Sequence, residues 1–84
     1  MSLLWFTPKV PVKTRAGHRR LISNVQAASK ELLTWALRGP QWNRAARVCI
    51  STWAREATPQ EARRCLRLAA VEEGRLLPRV EEDS

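Results

Sequence analysis

The stretch VKTRAGHRRLIS, Val12 to Ser23, decides between an all-helical chain and a mixed one. Before it, Phe6, Pro8, Val10 and Val12 fall on one parity, with Thr7, Lys9 and Lys13 on the other. That period of two belongs to a half-buried strand. After it, Arg19 to Ser23 is short and carries Leu21 and Ile22, the pattern of a return strand. Between the two runs Gly17 supplies the positive φ that a short hairpin loop requires. Pro8 and Pro11, three residues apart, remove N–H groups that face opposite edges. The first strand is therefore expected at an edge, or paired mainly at its far end.

Downstream the period changes from 2 to 3.6. Ser23 and Gln26 match a capping box, and Val25, Ala28, Leu32 and Trp35 follow as one apolar stripe, widened by Leu33 and Ala36. Gly39-Pro40 ends this first helix and starts a second, expected over 40–56 with Trp42, Ala46, Cys49, Ile50 and Trp53 inward and Arg44, Arg47, Ser51 and Arg55 outward. Thr58-Pro59-Gln60-Glu61 is the clearest helix start in the chain, with Thr58 as N-cap, proline at the first helical position and Glu61 closing the box. The third helix is expected to bury Ala62, Cys65, Leu66, Ala69 and Ala70 and to stop at Gly74. Leu76 to Val80 can pack on the hairpin as a third extended segment. The reading is one small α+β domain over 1–80, ββααα in order, followed by a flexible acidic tail over 81–84.

Eighty-four residues bury only about 60% of their unfolded surface, which argues against a deep substrate cavity. The net charge is +7, and residues 1–80 alone carry +10 because Glu81, Glu82 and Asp83 sit at the end. Such a surface attracts polyanions. Twelve arginines against three lysines, with abundant alanine, also fit a GC-rich coding sequence whatever the function. The candidate nucleic-acid contacts are Lys13, Arg15, Arg19 and Arg20 on the hairpin and Arg63, Arg64 and Arg67 on the third helix. Arginines near a helix start are placed as in a recognition helix, although the Ala57-Thr58 connection lacks the glycine of a helix-turn-helix. Trp35, Trp42 and Trp53 recur at helical spacing and read as core, whereas Trp5 reads as exposed.

Catalytic side chains are scarce. His18 is the single histidine, tyrosine is absent, and Cys49 and Cys65 fall on the inward stripes of separate helices. Buried cysteines act as small hydrophobes, so neither a metal site nor a Cys-His nucleophile is expected, and no cofactor is implied. Glu72-Glu73 and Glu56/Glu61 read as solvated charges at helix ends. No enzymatic activity is expected. Two cysteines without a C-x-x-C suit a reduced cytoplasm, and MSLLWFTPKVPV offers neither the basic start of a signal peptide nor a membrane span.

The run ISNVQAASKELLTWALRGPQWNRAARVCISTW, followed by TPQEARRCLRLAAVEEG, resembles the small alphaproteobacterial proteins of domain-of-unknown-function family 982. The residues that carry the resemblance are Pro11-Val12, Ala27, Leu32-Leu33, Trp35, Gly39, Ala46, Cys49, Ala62-Arg63, Ala69-Ala70, Glu72 and Gly74. The chain departs from that pattern at Trp35, which follows Leu32-Leu33 at a shorter spacing, at Gln60 and at Cys65-Leu66. The resemblance implies a hairpin with three helices and a bacterial cytoplasmic setting, and it supplies no reaction or ligand. The functional expectation is a non-enzymatic interaction or regulatory module that binds another protein, or itself through the hairpin edge. Its alternative is a nucleic-acid-binding accessory protein, and no membrane partner is expected.

Overall fold

The computed structural model describes residues 4–77. Its order is β1 (Trp5–Lys13), β2 (Arg19–Asn24), α1 (Val25–Leu33), α2 (Pro40–Trp53) and α3 (Pro59–Glu73). This is the expected α+β arrangement of a hairpin followed by three helices. The acidic tail 81–84, and the part of the extended segment beyond Leu77, lie outside the described residues.

β1 and β2 pair antiparallel from Val10↔Ile22 to Lys13↔Arg19, and again at Trp5↔Asn24, with the register shifting between. The reversal is compact. Gly17 (φ 86°) donates its N–H to Thr14 O at 2.9 Å, Thr14 N–H donates to His18 O at 2.7 Å, and His18 N–H donates to Thr14 Oγ1 at 3.1 Å. The left-handed Gly17 lets the chain turn without a Cβ clash. In the shifted region α3 replaces the missing strand partner. Gln60 accepts from Thr7 N–H at 3.0 Å and donates to Thr7 O at 2.9 Å, while Arg63 Nε donates to Pro8 O at 2.7 Å. At its far end β1 gains a partner on its second side. Lys13 N–H donates to Arg75 O, Leu77 N–H donates to Pro11 O, and Val12 bridges Leu76. The expected third extended segment is therefore present as far as Leu77, and it closes the outer edge of β1.

α1 starts one residue later than the Ser23–Gln26 box predicts. β2 runs on to Asn24, whose side chain caps the helix by accepting from Ala27 N–H at 2.8 Å, and Gln26 instead accepts from Leu4 N–H. The helix also ends early, at Leu33 rather than near Gly39. Thr34 Oγ1 donates to Glu31 O, and the Arg38 side chain donates to both Leu33 O and Trp35 O. These donors satisfy the carbonyls left bare at the helix end and hold the chain in a turn, with Arg38 itself left-handed (φ 51°). Trp35 lies beyond the helix and is still in the core, its indole N–H donating to the buried Glu31 at 3.2 Å.

The second correction concerns α2, which ends at Trp53 and buries Ala45, Cys49 and Thr52. Ile50 and Trp53, expected inward, are exposed, and Trp42 and Ala46 are half-buried. The face that meets α3 is the face of small residues. α3 presents Ala62, Cys65, Leu66, Ala69 and Ala70, as expected, so two small-residue stripes let the helices pack closely. Thr52 Oγ1 donates to Val48 O and brings no unsatisfied group into the core. Thr58 and Glu61 form the expected capping box, and Gly74 (φ 70°) ends α3. Trp35, Ile22, Leu32, Leu66, Val10, Val12 and Val25 are the largest fully buried side chains, so the core lies where the hairpin meets α1 and α3, with α2 packed against those two helices. Among the described residues no helix is long and apolar enough to cross a membrane.

Candidate interaction surfaces

The hairpin places its cations on two faces. Lys13 and Arg19 are directly opposite one another in the ladder. Like charges so paired repel and destabilise the strand pair. Arg75 approaches from the other side of β1, donating Nη1–H to Lys13 O at 3.2 Å, with its charge answered by Glu73, whose Oε1 lies 3.8 Å from Nε; Arg15 projects from the exposed turn. Arg20 has the opposite parity and turns toward α1, where Nη1 lies 3.7 Å from Oε1 of the buried Glu31. The four hairpin cations are thus divided, and Arg20 serves the core face.

The cations of α3 are divided as well. Arg63 and Arg67 line a groove of about 350 Å³ with Lys9, over a floor of Val10, Pro11, Leu76 and Leu77. Arg63 also fastens α3 to β1 through Pro8 O. Arg64 is exposed and faces away from this groove. Lys9 and Arg75 complete the two basic clusters, and sequence reasoning missed both. Nothing in the pattern marks Arg75, which is brought in by the return of the chain after Gly74.

A third surface was not anticipated at all. Leu33 at the end of α1 is 67% exposed, and Ile50 and Trp53 on α2 are 68% and 51% exposed. With Trp42, Ala46, Ser29, Leu32 and Cys49 they line a groove of about 180 Å³ between the two helices. Trp42 donates its indole N–H to Leu32 O at 2.7 Å, and Arg38 stacks over its ring at 4.7 Å. The ring is thereby fixed, its polar atom satisfied and its apolar edge left in the groove. Of the tryptophans read as core, Trp35 is core, Trp42 is half-buried and Trp53 is at the surface; Trp5 is exposed, as expected.

Cys49, Glu72 and Glu73 each make contacts within the fold. Cys49 is buried at the groove floor, and desolvation pushes its thiol above the ordinary value near 9.0, opposed by a hydrogen bond with Ser29 and reinforced by Cys65. His18 lies in the exposed turn, outside that groove. Glu72 and Glu73 are not the solvated charges the sequence suggests. Glu72 Oε1 accepts from Gln41 N–H at 3.0 Å and Trp42 N–H at 3.2 Å, and Glu73 Oε2 accepts from Arg38 N–H at 2.9 Å. The positive end of α2 and its orphaned donors attract Glu72 across the 30 residues that separate it from Trp42. Among the described residues, no three of His, Cys, Asp and Glu are gathered to hold a metal ion. Comparison with protein-family models, with curated proteins and with solved structures finds no match for this chain.

Proposed function

We propose that this protein is a non-enzymatic binding module that docks another protein on the apolar α1–α2 face. The exposure of Leu33, Ile50 and Trp53 around one groove carries the reading. Apolar side chains scattered singly over a surface need no explanation, whereas a contiguous set around a groove marks an interaction site. Covering the exposed parts of these three side chains contributes about 4 kcal/mol, close to the low end of the cost of association. The apolar contact alone therefore supports only a weak complex, and the partner must add polar or charged contacts. The hairpin edge is the weaker surface for self-association, because 75–77 already covers the far half of β1 and only β2 keeps an open edge among the described residues. Two reduced thiols fit a cytoplasmic setting for this role.

The test is affinity capture from cell extract with the wild-type chain and with Ile50→Asp, in the presence and absence of nuclease. A protein retained by the wild type, lost with Ile50→Asp and insensitive to nuclease supports the proposal. Equal retention by both would remove the α1–α2 face as the docking site.

A second reading is favoured by the repulsion between Lys13 and Arg19, which face each other across the strand pair. A polyanion at this end of the sheet would relieve it, so nucleic acid remains the alternative partner, with Lys13, Arg15 and Arg19 as its contacts. Phosphate contacts predict a steep linear fall of log affinity with log salt. No retention on single- or double-stranded DNA at low salt rejects this reading.

A further inference from the structure

Resting on the α1–α2 docking face just proposed, we infer that its occupant is an acidic amphipathic helix of about three turns. Trp42 and Trp53 mark the ends of the apolar row on α2, and their eleven-residue separation is about 16 Å at 1.5 Å per residue. A groove between two helices, walled by Leu33 on one side and Ile50 and Trp53 on the other, takes the apolar stripe of a third helix through anchors at i, i+3 or i+4, and i+7.

The rim of the groove fixes the charge of that helix. Lys30 lies one turn before Leu33 and Arg47 one turn before Ile50, both exposed, so they flank the apolar row from α1 and from α2. Arg38 stands at the Trp42 end, anchored by its bonds to Leu33 O and Trp35 O. The rest of the surface reinforces this sign. Residues 4–77 carry fourteen Lys and Arg side chains against five carboxylates. Four of those five are engaged internally: Glu31 with Trp35 and Arg20, Glu61 in the α3 cap, Glu72 on the first turn of α2, and Glu73 on Arg38 N–H before it. Little negative charge is left outside to answer the cations. A second copy of the chain would bring Lys30, Arg38 and Arg47 against their own equivalents, and like charges across an interface oppose pairing. An acidic helix meets all three with opposite charge.

The experiment is selection from a displayed library of helical peptides, 14 to 18 residues long by design at roughly 1.5 Å per residue, on the folded wild-type chain with depletion on Ile50→Asp. Circular dichroism confirms that Ile50→Asp is folded, and Trp53→Ala serves as a second depletion target. The expected result is enrichment of peptides with an apolar i, i+3/i+4, i+7 row flanked by Glu or Asp. Their affinity should fall about tenfold for Lys30→Glu/Arg47→Glu and weaken with salt. Enriched peptides without acidic bias overturn the charge assignment, and absence of any Ile50-dependent peptide overturns the helix-in-groove inference. Either outcome leaves the docking proposal standing if extract capture still depends on Ile50. A dimer in light scattering that is lost with Ile50→Asp would instead identify a second copy as the occupant and overturn the inference.

Discussion

Glu72, in the last turn of α3, caps the first turn of α2, and its carboxylate lies 2.7 Å from where a Cβ on Gly39 would stand. Gly39 is extended at φ −74°, ψ −167°, a conformation any residue adopts, so the need for glycine here is spatial rather than conformational. The contact ties the last turn of α3 to the first turn of α2: α3 supplies the N-terminal side-chain cap that Gly39 cannot give to α2.

Gly39→Ala should therefore destabilise the protein by about 1–2 kcal/mol, because the new methyl displaces a carboxylate held by two main-chain N–H groups. Glu72→Ala should cost a similar amount. The double variant should cost much less than the two added together, since without the carboxylate the methyl has space. Urea unfolding of the four proteins measures this coupling, and simple additivity would show that the clash is relieved some other way.

The buried face of α2 makes the second prediction. Ile50→Ser removes an exposed side chain and should change stability by no more than about 0.5 kcal/mol. Ala45→Leu adds bulk to a fully buried position on the small-residue face toward α3, and should cost about 1–3 kcal/mol. A reading of α2 from hydrophobicity alone predicts the opposite order, so the pair of unfolding midpoints decides between them.

That contrast shows what the sequence carries and what it hides. The hairpin was legible because Gly17 and the period of two are local signals, and α3 because Thr58, Glu61 and Gly74 mark its ends by side-chain chemistry. α2 was not, because periodicity ranks residues by apolarity, and Trp42, Ile50 and Trp53 outrank Ala45 and Thr52. Close approach to α3 selects small side chains, and only tertiary packing reveals that preference. The candidate docking face is hidden for the same reason: periodicity places Leu33, Ile50 and Trp53 on the core stripes of their helices. The basic residues were legible as a set, but their division between faces depended on strand parity at Arg19 and Arg20 and on the return of Arg75 beside Lys13.

Helix starts provide the third prediction. Thr58→Ala and Asn24→Ala should each cost about 1 kcal/mol, since each side chain accepts from the third residue of its helix. Ser23→Ala should be nearly neutral, because β2 extends through Ser23 and the cap is Asn24. A loss of 1 kcal/mol or so at Ser23 with none at Asn24 would restore the Ser23–Gln26 box.

The fourth concerns Cys49, whose thiol is raised above its ordinary value chiefly by burial. The folded state holds this proton more tightly than the unfolded chain does. The associated stability is thus fully present below the unfolded thiol pKa, and it is lost as pH rises from there through the folded value. Between pH 8 and 10 the urea midpoint of the wild type should fall more than that of Cys49→Ala, although the variant starts lower because of the cavity it leaves. Burial also keeps the thiolate fraction small, so a thiol reagent at neutral pH should label Cys49 slowly in the folded protein and rapidly in denaturant. Parallel pH slopes in the two proteins, or rapid labelling of Cys49 without denaturant, would place the thiol outside the core and remove it from the floor of the docking groove.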